Sequence, residues 1–332
     1  MKPLISIVVP CFNEQDNVEP LHQRIRLATA ELAARYDFEI IFIDNKSEDA
    51  TALRIEKICR SDRSVRLIVN ARNFGQVRSP AHALMQAGGA AVISMAADLE
   101  DPPELIPELI ARWEQGASVV AAVYKQPVKI GWIGWARRLY YKIIQAVSEA
   151  KPIAAFTGFG LYDRRVIELI RRLGGPYPYI RGLVSELGLP IQTVSFDKAP
   201  RKFGVTKNNL LSLLEISILG LTNMSRAPIR LATLTGAIMS VLGAVIALAY
   251  LCAKLLFWSQ FPLGQAPLLI GIFLFGSVQL LFAGLIGEYI ASLHQRALNH
   301  PHVVELYRVN FPVSSAEADD PVIAKERRIQ GL

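Results

Sequence analysis

The chain has 332 residues, a net charge of +7 and three cysteines, Cys11, Cys59 and Cys252. The cysteines show no pairing pattern, which excludes a disulfide framework and favours a reducing compartment. The positive charge suits anionic lipid headgroups. Nucleic acid is disfavoured as a partner, because no aromatic–basic interleaving or nucleic-acid-binding motif is present.

Apolar runs alternate with amphipathic stretches over the first 150 residues. The pattern predicts strands at 4–9, 38–43, 65–69, 91–96 and 118–123, and helices at about 16–35, 50–60, 79–87, 103–115 and 137–146. This alternation predicts an α/β fold with a mostly parallel sheet and helices on both faces. Ligands in such sheets bind beyond the carboxyl ends of the strands, where Asp44, Asn73 and Asp98 fall.

Two stretches near the C-terminus carry no charge, Leu231–Ala253 and Leu255–Gly287. Since about 20 apolar residues cross the ~30 Å hydrocarbon core of a bilayer, they predict two transmembrane helices, about 230–256 and 266–291. A pair of buried core helices is the alternative.

Basic residues flank this hairpin at Arg226, Arg230, Arg296 and Arg308, whereas the turn between the two helices carries no charge. Positive residues stay on the cytoplasmic side, so both termini and the α/β domain are expected to be cytoplasmic. The preceding segment, 208–224, has a broad apolar face and predicts an interfacial helix; packing against the α/β domain is the alternative.

The predicted organisation has four parts. They are an α/β domain at 1–207, an interfacial amphipathic helix at 208–227, the two transmembrane helices within 228–295, and a C-terminal segment at 296–332. The end of that last segment is polar and is expected to be disordered.

Three carboxylates lie within four residues after the fourth predicted strand, at Asp98, Glu100 and Asp101. Such hard oxygen donors suit Mg²⁺ or Mn²⁺, and a metal ion there would neutralise a leaving diphosphate. The alternative is an acidic helix N-terminus favoured by the helix dipole.

Polar residues also follow the first two strands, namely Asn13 and Glu14 after the first and Asp44 after the second. A carboxylate at such a position can accept hydrogen bonds from a nucleobase or a ribose; an ordinary cap or turn residue is the alternative. The chain has neither a GxGxxG motif nor a P-loop, so neither a dinucleotide nor an ATP-driven motor is indicated.

Two basic segments stand apart from these acidic sites. Arg137 and Arg138 open a predicted helix, and Arg201 and Lys207 precede the amphipathic segment. Arginine and lysine beside a membrane interface suit a lipid phosphate; generic attraction to anionic lipids is the alternative.

In this order the motifs resemble the membrane-anchored polyprenyl-phosphate glycosyltransferases of glycosyltransferase family 2. These are relatives of dolichyl-phosphate mannose synthase and include bacterial enzymes that make undecaprenyl-phosphate sugars. The resemblance covers about residues 3–311. It rests on the predicted hairpin and on the segments 9–10, 13–14, 43–44, 72–75, 98–105, 157–163, 181–183 and 204–207.

The resemblance implies a GT-A fold, a UDP- or GDP-linked sugar donor, Mg²⁺ or Mn²⁺, a polyprenyl-phosphate acceptor, and contact with the lipids of the bacterial inner membrane. A homo-oligomer is compatible with it. The matching positions imply three sets of residues. They are Pro10, Asn13, Glu14, Asp44, Asn73 and Asp98 for the nucleotide sugar; Asp98 and Glu100 for the metal; and Arg137, Arg138, Arg201 and Lys207 for the acceptor phosphate.

The chain departs from the family pattern at three places. Ala96 replaces the first acid of the usual Asp-X-Asp, Asn45 replaces the second acid after strand two, and 159–161 replaces an Asp-Phe-Arg segment that holds a candidate base. Glu186 is the candidate substitute, although a structural role is the favoured interpretation. A phosphate acceptor is already anionic, so the expected inverting displacement needs alignment and charge stabilisation more than a strong base.

Two other functions stay open on the sequence. A processive polysaccharide synthase is disfavoured, because two helices are too few to build a translocation pore within one chain. A catalytically degenerate membrane scaffold is kept open by the three departures at Asn45, Ala96 and 159–161.

Overall fold

The computed structural model describes residues 2–125, 153, 155–173, 180–197 and 303–311, together with isolated positions between 236 and 293. The strands are β1 (Leu4–Cys11), β2 (Asp37–Asp44), β3 (Val65–Asn70), β4 (Ala91–Ser94), β5 (Val119–Tyr124), β6 (Phe156–Asp163), β7 (Ile191–Phe196) and β8 (Glu305–Val309). The helices are α1 (Val18–Thr29), α2 (Thr51–Ser61), α3 (Gly75–Gln86), α4 (Ile106–Glu114), α5 (Arg164–Leu173) and α6 (Ile180–Glu186), with short 3₁₀ turns at Ala30–Ala34 and Pro103–Leu105.

The strands form one mixed sheet in the order β7-β5-β6-β4-β1-β2-β3-β8. β1 pairs in parallel with β2 and β4, β2 with β3, and β5 with β7. β6 is antiparallel to β4 and β5, and β8 is antiparallel to β3. The expected α/β sheet is therefore confirmed, with two strands that run against the rest.

The two faces of the sheet bury separate apolar cores. In β1, Ile5, Ile7 and Val9 face the core that packs under α1, α2 and α4, while Val8 faces the core under α3, α5 and α6. This division follows from the alternation of side chains along a strand. Each fully buried Val, Leu or Ile side chain contributes about 1.5–3 kcal/mol.

The described chain divides into two compact units. One comprises 1–127, 153–206 and 301–332, and the other comprises 128–152 and 207–300. The chain therefore returns to the first unit near its end, where β8 pairs with β3. Within the predicted C-terminal segment 296–332, Glu305–Val309 belongs to the sheet. The added strand covers hydrogen-bonding groups that an edge strand would leave unpaired.

Side chains fasten β8 to the elements beside it. Tyr307 donates to Glu56 Oε1 on α2 at 2.6 Å. Asn310 Nδ2 donates to the carbonyls of Cys59 and Val65, both at 2.8 Å. These contacts join the C-terminal strand to α2 and β3.

Several predicted boundaries moved. The third helix begins at Gly75 rather than at 79 and has Pro80 in its interior, and β4 ends at Ser94 rather than at 96. The helix predicted at 137–146 and the interfacial helix predicted at 208–227 lie outside the described residues.

The described positions of the predicted transmembrane segments are isolated, and those positions are helical. Within the described part of the chain, no helix is both long enough and apolar enough to cross a membrane.

Candidate active site

The loops after β1 and β2 lock each other in place at the carboxyl edge of the sheet. Asn13 adopts a left-handed backbone (φ 55°), which asparagine tolerates better than most residues. Its N–H donates to Ser47 Oγ at 2.8 Å, and the N–H of Glu48 donates to Asn13 Oδ1 at 2.8 Å. Asn13 and the loop after Asp44, both predicted at the nucleotide site, are thereby brought together.

The neighbouring predicted residues hold the same pair of loops. The N–H of Glu14 donates to Thr51 Oγ1 at 2.8 Å, and its carboxylate accepts from Asn17 Nδ2 at 2.6 Å. Pro10 lies within β1, opposite Ile43 of β2. Glu14 therefore fixes the start of α1 as well as standing beside the site.

Asp44 ends β2 as a nearly fully buried carboxylate. Burial raises its pKa, and hydrogen bonds from the Ser47 side chain and N–H act against that rise. The thiol of Cys11 is buried near the same carboxylates. Burial and the charges of Asp44 and Glu14 raise its pKa well above the ordinary value. Cys11 thus stays protonated and is not a nucleophile at neutral pH.

Asn45 is the centre of a buried amide network that joins the ends of β2 and β3. Its Oδ1 accepts from Asn70 Nδ2 at 3.0 Å and from the N–H of Phe74 at 2.9 Å. Its Nδ2 donates to Asn73 Oδ1 at 2.8 Å. The network fixes the turn that carries Asn73 and leads into α3, which explains why that helix begins four residues earlier than its apolar pattern indicates.

Two arginines stack on one aromatic ring beside this turn. The guanidinium carbon of Arg72 lies 4.3 Å from the centroid of Phe74, and that of Arg78 lies 5.2 Å from it. Cations over an aromatic face are held by its quadrupole. The turn after β3 therefore presents positive charge next to Asn73.

The loop after β4 turns sharply at Leu99, a buried residue in the left-handed region (φ 61°). Asp98 is buried, and its Oδ1 accepts from the N–H of Glu100 at 3.2 Å. Asp101 Oδ2 accepts from the N–H of Ala96 at 2.9 Å. The Asp101 carboxylate thus closes the loop from within, where Ala96 replaces the usual acid.

The hydrogen bonds of this loop bear on which of its carboxylates can bind a metal ion. In the part of the chain that the structure describes, no group of three or more His, Cys, Asp or Glu side chains is arranged to hold a metal ion. Asp101 accepts a hydrogen bond from the N–H of Ala96, and the metal site at Asp98 and Glu100 stays a prediction. Asp98 and Glu100 still fit Mg²⁺ or Mn²⁺, since magnesium takes one or two protein carboxylates and completes its shell with water and phosphate oxygens.

The remaining predicted site residues are an exposed glutamate and four basic residues outside the described part of the chain. Glu186 is the last residue of α6 and is exposed. Arg137, Arg138, Arg201 and Lys207 lie outside the described residues, so their acceptor role stays a prediction. The sequence did not predict the supporting roles of Thr51, of Asn70 and of Ser79, which accepts from Asn70 Nδ2 at 3.0 Å, because isolated polar side chains in helices and strands have no distinctive pattern.

Comparison with known proteins gives an independent result. Residues 6–171 match the family model described as Glycosyl transferase family 2. The chain is 33% identical over 298 residues to an uncharacterised glycosyltransferase of Synechocystis sp., across 90% of this chain and 93% of that protein. It is 31% identical over 301 residues to the SfII prophage-derived bactoprenol glucosyl transferase of Shigella flexneri, across 90% and 96%.

Among solved structures, glucosyl-3-phosphoglycerate synthase from Mycobacterium tuberculosis in complex with Mn²⁺, UDP and phosphoglyceric acid superposes with a TM-score of 0.49. The two are 19% identical, and the match covers 66% of this chain and 76% of that one. The family match and the mixed α/β sheet, with its polar loops at one edge, lead to the same result. This chain is a glycosyltransferase with a GT-A-like α/β fold, and it belongs to glycosyltransferase family 2.

Proposed function

We propose that this glycosyltransferase moves one sugar from a UDP- or GDP-linked donor to polyprenyl phosphate on the cytoplasmic face of the bacterial inner membrane. The observation that carries the proposal is the length of the match to proteins named bactoprenol glucosyl transferase. That match extends over 90% of this chain, far beyond the family domain at 6–171. It therefore includes much of the second unit as well as the catalytic domain.

The carboxyl edge of the sheet supplies the nucleotide site. Asp44 is fixed by Ser47, and Asn13 is fixed by Ser47 and Glu48. Asn73 is held by Asn45 on the other side of β2. Carboxylate and amide groups held in this way are suited to hydrogen bonds with a nucleobase and a ribose.

Asp98 and Glu100 would hold the metal ion. The bond from Glu100 N–H orients Asp98, and the bond from Ala96 N–H to Asp101 closes the loop around it. When bound, Mg²⁺ or Mn²⁺ stabilises the charge that develops on a leaving diphosphate. The protein contributes a buried carboxylate in a fixed turn, which preorganises the site.

The transfer is a single inverting displacement. An oxygen of the acceptor phosphate attacks the anomeric carbon, the bond from that carbon to the donor phosphate oxygen breaks, and the nucleoside diphosphate leaves with the electron pair. The acceptor is already an anion, so no proton has to be removed. The candidate base Glu186 is thus dispensable, and the predicted phosphate ligands are Arg137, Arg138, Arg201 and Lys207.

Contact with lipid has support from the second unit taken by itself. Its described helical positions include apolar side chains that are more than half exposed, among them Ile238, Val241, Val245, Leu268 and Leu280. Exposed apolar side chains in number are a feature of surfaces that meet a membrane or a partner. The charge-free stretches 231–253 and 255–287 favour the bilayer as that environment.

The test is a transfer assay on membranes that contain the full chain. Undecaprenyl phosphate is incubated with a panel of radiolabelled UDP- and GDP-sugars, and the lipid extract is separated by chromatography, with Asp98→Asn membranes as control. One labelled sugar per lipid supports the proposal. A labelled polymer indicates a processive synthase. The absence of any labelled product indicates a catalytically degenerate scaffold.

The proposed membrane side has its own test. A reporter fused after Leu332 is expected to be cytoplasmic, and one inserted at Gln260 is expected to be periplasmic. The reverse labelling would contradict the proposed topology, since cytoplasmic nucleotide sugars would then not reach the site.

A further inference from the structure

Strand β6 contains a bulge at the edge of the sheet where the predicted site residues lie. Ala121 of β5 pairs with Gly160, whereas Val123 pairs with Phe156, so three residues of β6 oppose one residue of β5. Gly158, in the middle of those three, has a φ of 102°. Residues 157–159 are called the β6 bulge below. Bulges are frequent beside active sites, where they redirect side chains.

The β6 bulge lies at the same edge of the sheet as the Asp98 loop. β6 is antiparallel to β4, and their last pair at that end is Ser94 with Gly160. The bulge therefore lies beyond the carboxyl end of β4, where the Asp98 loop begins. The buried Tyr162 holds it there by donating a hydrogen bond to the carbonyl of Gly158 at 2.8 Å.

Arg181 of α6 reaches the β6 bulge from the side. A Cβ on Gly158 would lie 3.6 Å from Nε of Arg181. Burial raises the pKa of Tyr162, the charge of Arg181 lowers it and the charge of Asp101 raises it. The tyrosine hydroxyl therefore feels both charges, which places Arg181 and the acidic loop around the same point.

Two groups at the β6 bulge lack partners in the described part of the chain. Arg181 is exposed, and its guanidinium has no ion pair or hydrogen bond among the described residues. The hydroxyl of Thr157 is buried and has no hydrogen-bond partner among those residues either. A buried hydroxyl without a partner costs about 1–3 kcal/mol, and a hydrogen bond to a ligand oxygen would remove that cost.

We propose that Arg181 and the Thr157 hydroxyl bind a phosphate oxygen of a substrate in the transfer reaction. This inference rests on the proposed function and adds a cation on the described unit to the predicted basic residues. Guanidinium groups bind phosphate through a planar fork of donors. Gly158, the residue next to Thr157, has no side chain, so it leaves the space beside the Arg181 guanidinium open. A cation at this edge of the sheet would relieve repulsion between the two phosphate-bearing substrates.

The phosphate belongs either to the donor diphosphate or to the lipid acceptor, and two measurements separate them. Arg181→Gln, Arg181→Lys and Thr157→Val are compared with wild type for the Kd of UDP and GDP by calorimetry. Their KM for undecaprenyl phosphate is measured with the donor saturating. Arg165→Gln is the matched control, because Arg165 is an exposed arginine of α5 at the opposite edge of the sheet, next to Asp163, which pairs with Ala91.

Arg181→Gln should raise either the nucleotide Kd or the KM for undecaprenyl phosphate by about 10- to 100-fold. That is the size expected for the loss of a hydrogen bond to a charged group. Arg181→Lys should recover part of the loss, since lysine keeps the charge and lacks the fork. A larger nucleotide Kd assigns the position to the donor, and a larger acceptor KM with unchanged nucleotide Kd assigns it to the lipid phosphate. Thr157→Val should move the same parameter in the same direction.

The proposal is overturned if Arg181→Gln leaves both parameters within threefold of wild type, or if Arg165→Gln moves them equally. Thermal melting of each variant checks that the fold is intact. If wild type transfers no sugar to lipid, the proposed acceptor is wrong, and the nucleotide titration alone then decides for or against Arg181.

Discussion

Asn45 Nδ2 donates a 2.8 Å hydrogen bond to Asn73 Oδ1, and this bond sets the orientation of the Asn73 side chain. The N–H of Gly75 donates to the same oxygen at 2.8 Å. With Oδ1 accepting both bonds, the Nδ2 amide is the part of the Asn73 side chain that remains to act as a donor. A carboxylate at position 45 could not donate this hydrogen bond, so Asn45 stabilises the observed orientation of Asn73.

Asn45→Asp should therefore disturb the nucleotide site. The new carboxylate repels Asn73 Oδ1, and turning the Asn73 amide over would take its oxygen away from Gly75. We expect a loss of about 1–3 kcal/mol in the free energy of unfolding and weaker nucleotide binding by calorimetry. Gln115→Glu adds the same charge at an exposed position and should leave binding unchanged. Wild-type affinity in Asn45→Asp would contradict this role.

Asp98 and Asp101 of the acidic loop are expected to have different functions, the first in metal binding and the second in loop structure. Asp98→Asn is expected to lower turnover by at least about 100-fold, because charge stabilisation by a bound metal ion is worth several kcal/mol. It should also raise the Mn²⁺ concentration needed for half-maximal rate. Asp101→Asn keeps an oxygen for Ala96 N–H and should retain most of the activity, whereas Asp101→Ala should lose stability. Full activity of Asp98→Asn in a chelator would contradict the predicted role of this loop in metal binding.

Gly160 allows β5 and β6 to approach closely. A Cβ at this position would lie 2.3 Å from the carbonyl oxygen of Val120, so the backbone would have to move. Gly160→Ala should cost at least about 2–3 kcal/mol of unfolding free energy, at the upper end of overpacking effects. Gly88→Ala is the control, because its Cβ would meet atoms only at 3.6 Å or beyond. Equal denaturation midpoints for the two variants would refute this account.

Asp62 should give the protein an acid-sensitive contribution to stability. Burial alone would raise its pKa, but hydrogen bonds from Ser64 and the charge of Arg26 lower it from 3.8 to about 2. A carboxylate with a lowered folded-state pKa stabilises the fold above its ordinary pKa, and that contribution is lost as pH falls from about 4 to about 2. Urea unfolding at pH 7, 4 and 3 should show Asp62→Asn converging on wild type as pH falls. A difference in unfolding free energy between Asp62→Asn and wild type that is the same at all three pH values would contradict this role of Asp62.

Asn310 should anchor the C-terminal strand through both its backbone and its side chain. It adopts a left-handed conformation (φ 61°) and donates to Cys59 and Val65. Asn310→Gly removes these two hydrogen bonds and the one that Asn310 Oδ1 accepts from Arg63 at 3.2 Å, and should cost about 1–3 kcal/mol. Asn310→Ala should cost about 1 kcal/mol more, because alanine disfavours the left-handed region. Denaturant titration measures both, and an alanine variant as stable as the glycine variant would remove the backbone argument.

The sequence predicted the first five strands because their apolar runs are long and are bounded by turn residues. It missed β6 and β7, since neither is an uninterrupted apolar run: Gly158 and Gly160 interrupt the first, and polar residues at 192, 193 and 195 interrupt the second. It also missed β8, which follows the charge-free stretches and joins the sheet only by pairing with β3, about 235 residues earlier in the chain. Such pairing depends on backbone groups, which leave no mark in the residue pattern.

The sequence by itself determined the family, the acids at the ends of the parallel strands and the charge-free stretches, because these depend on residue type and local spacing. Only the tertiary structure decided how the acids are used. It turned Asp101 back onto Ala96, made Asn45 the partner of Asn73, and brought Arg181 to the β6 bulge. The direction of a side chain depends on the donors and acceptors that distant segments bring to it, and those distances are fixed only when the sheet is assembled.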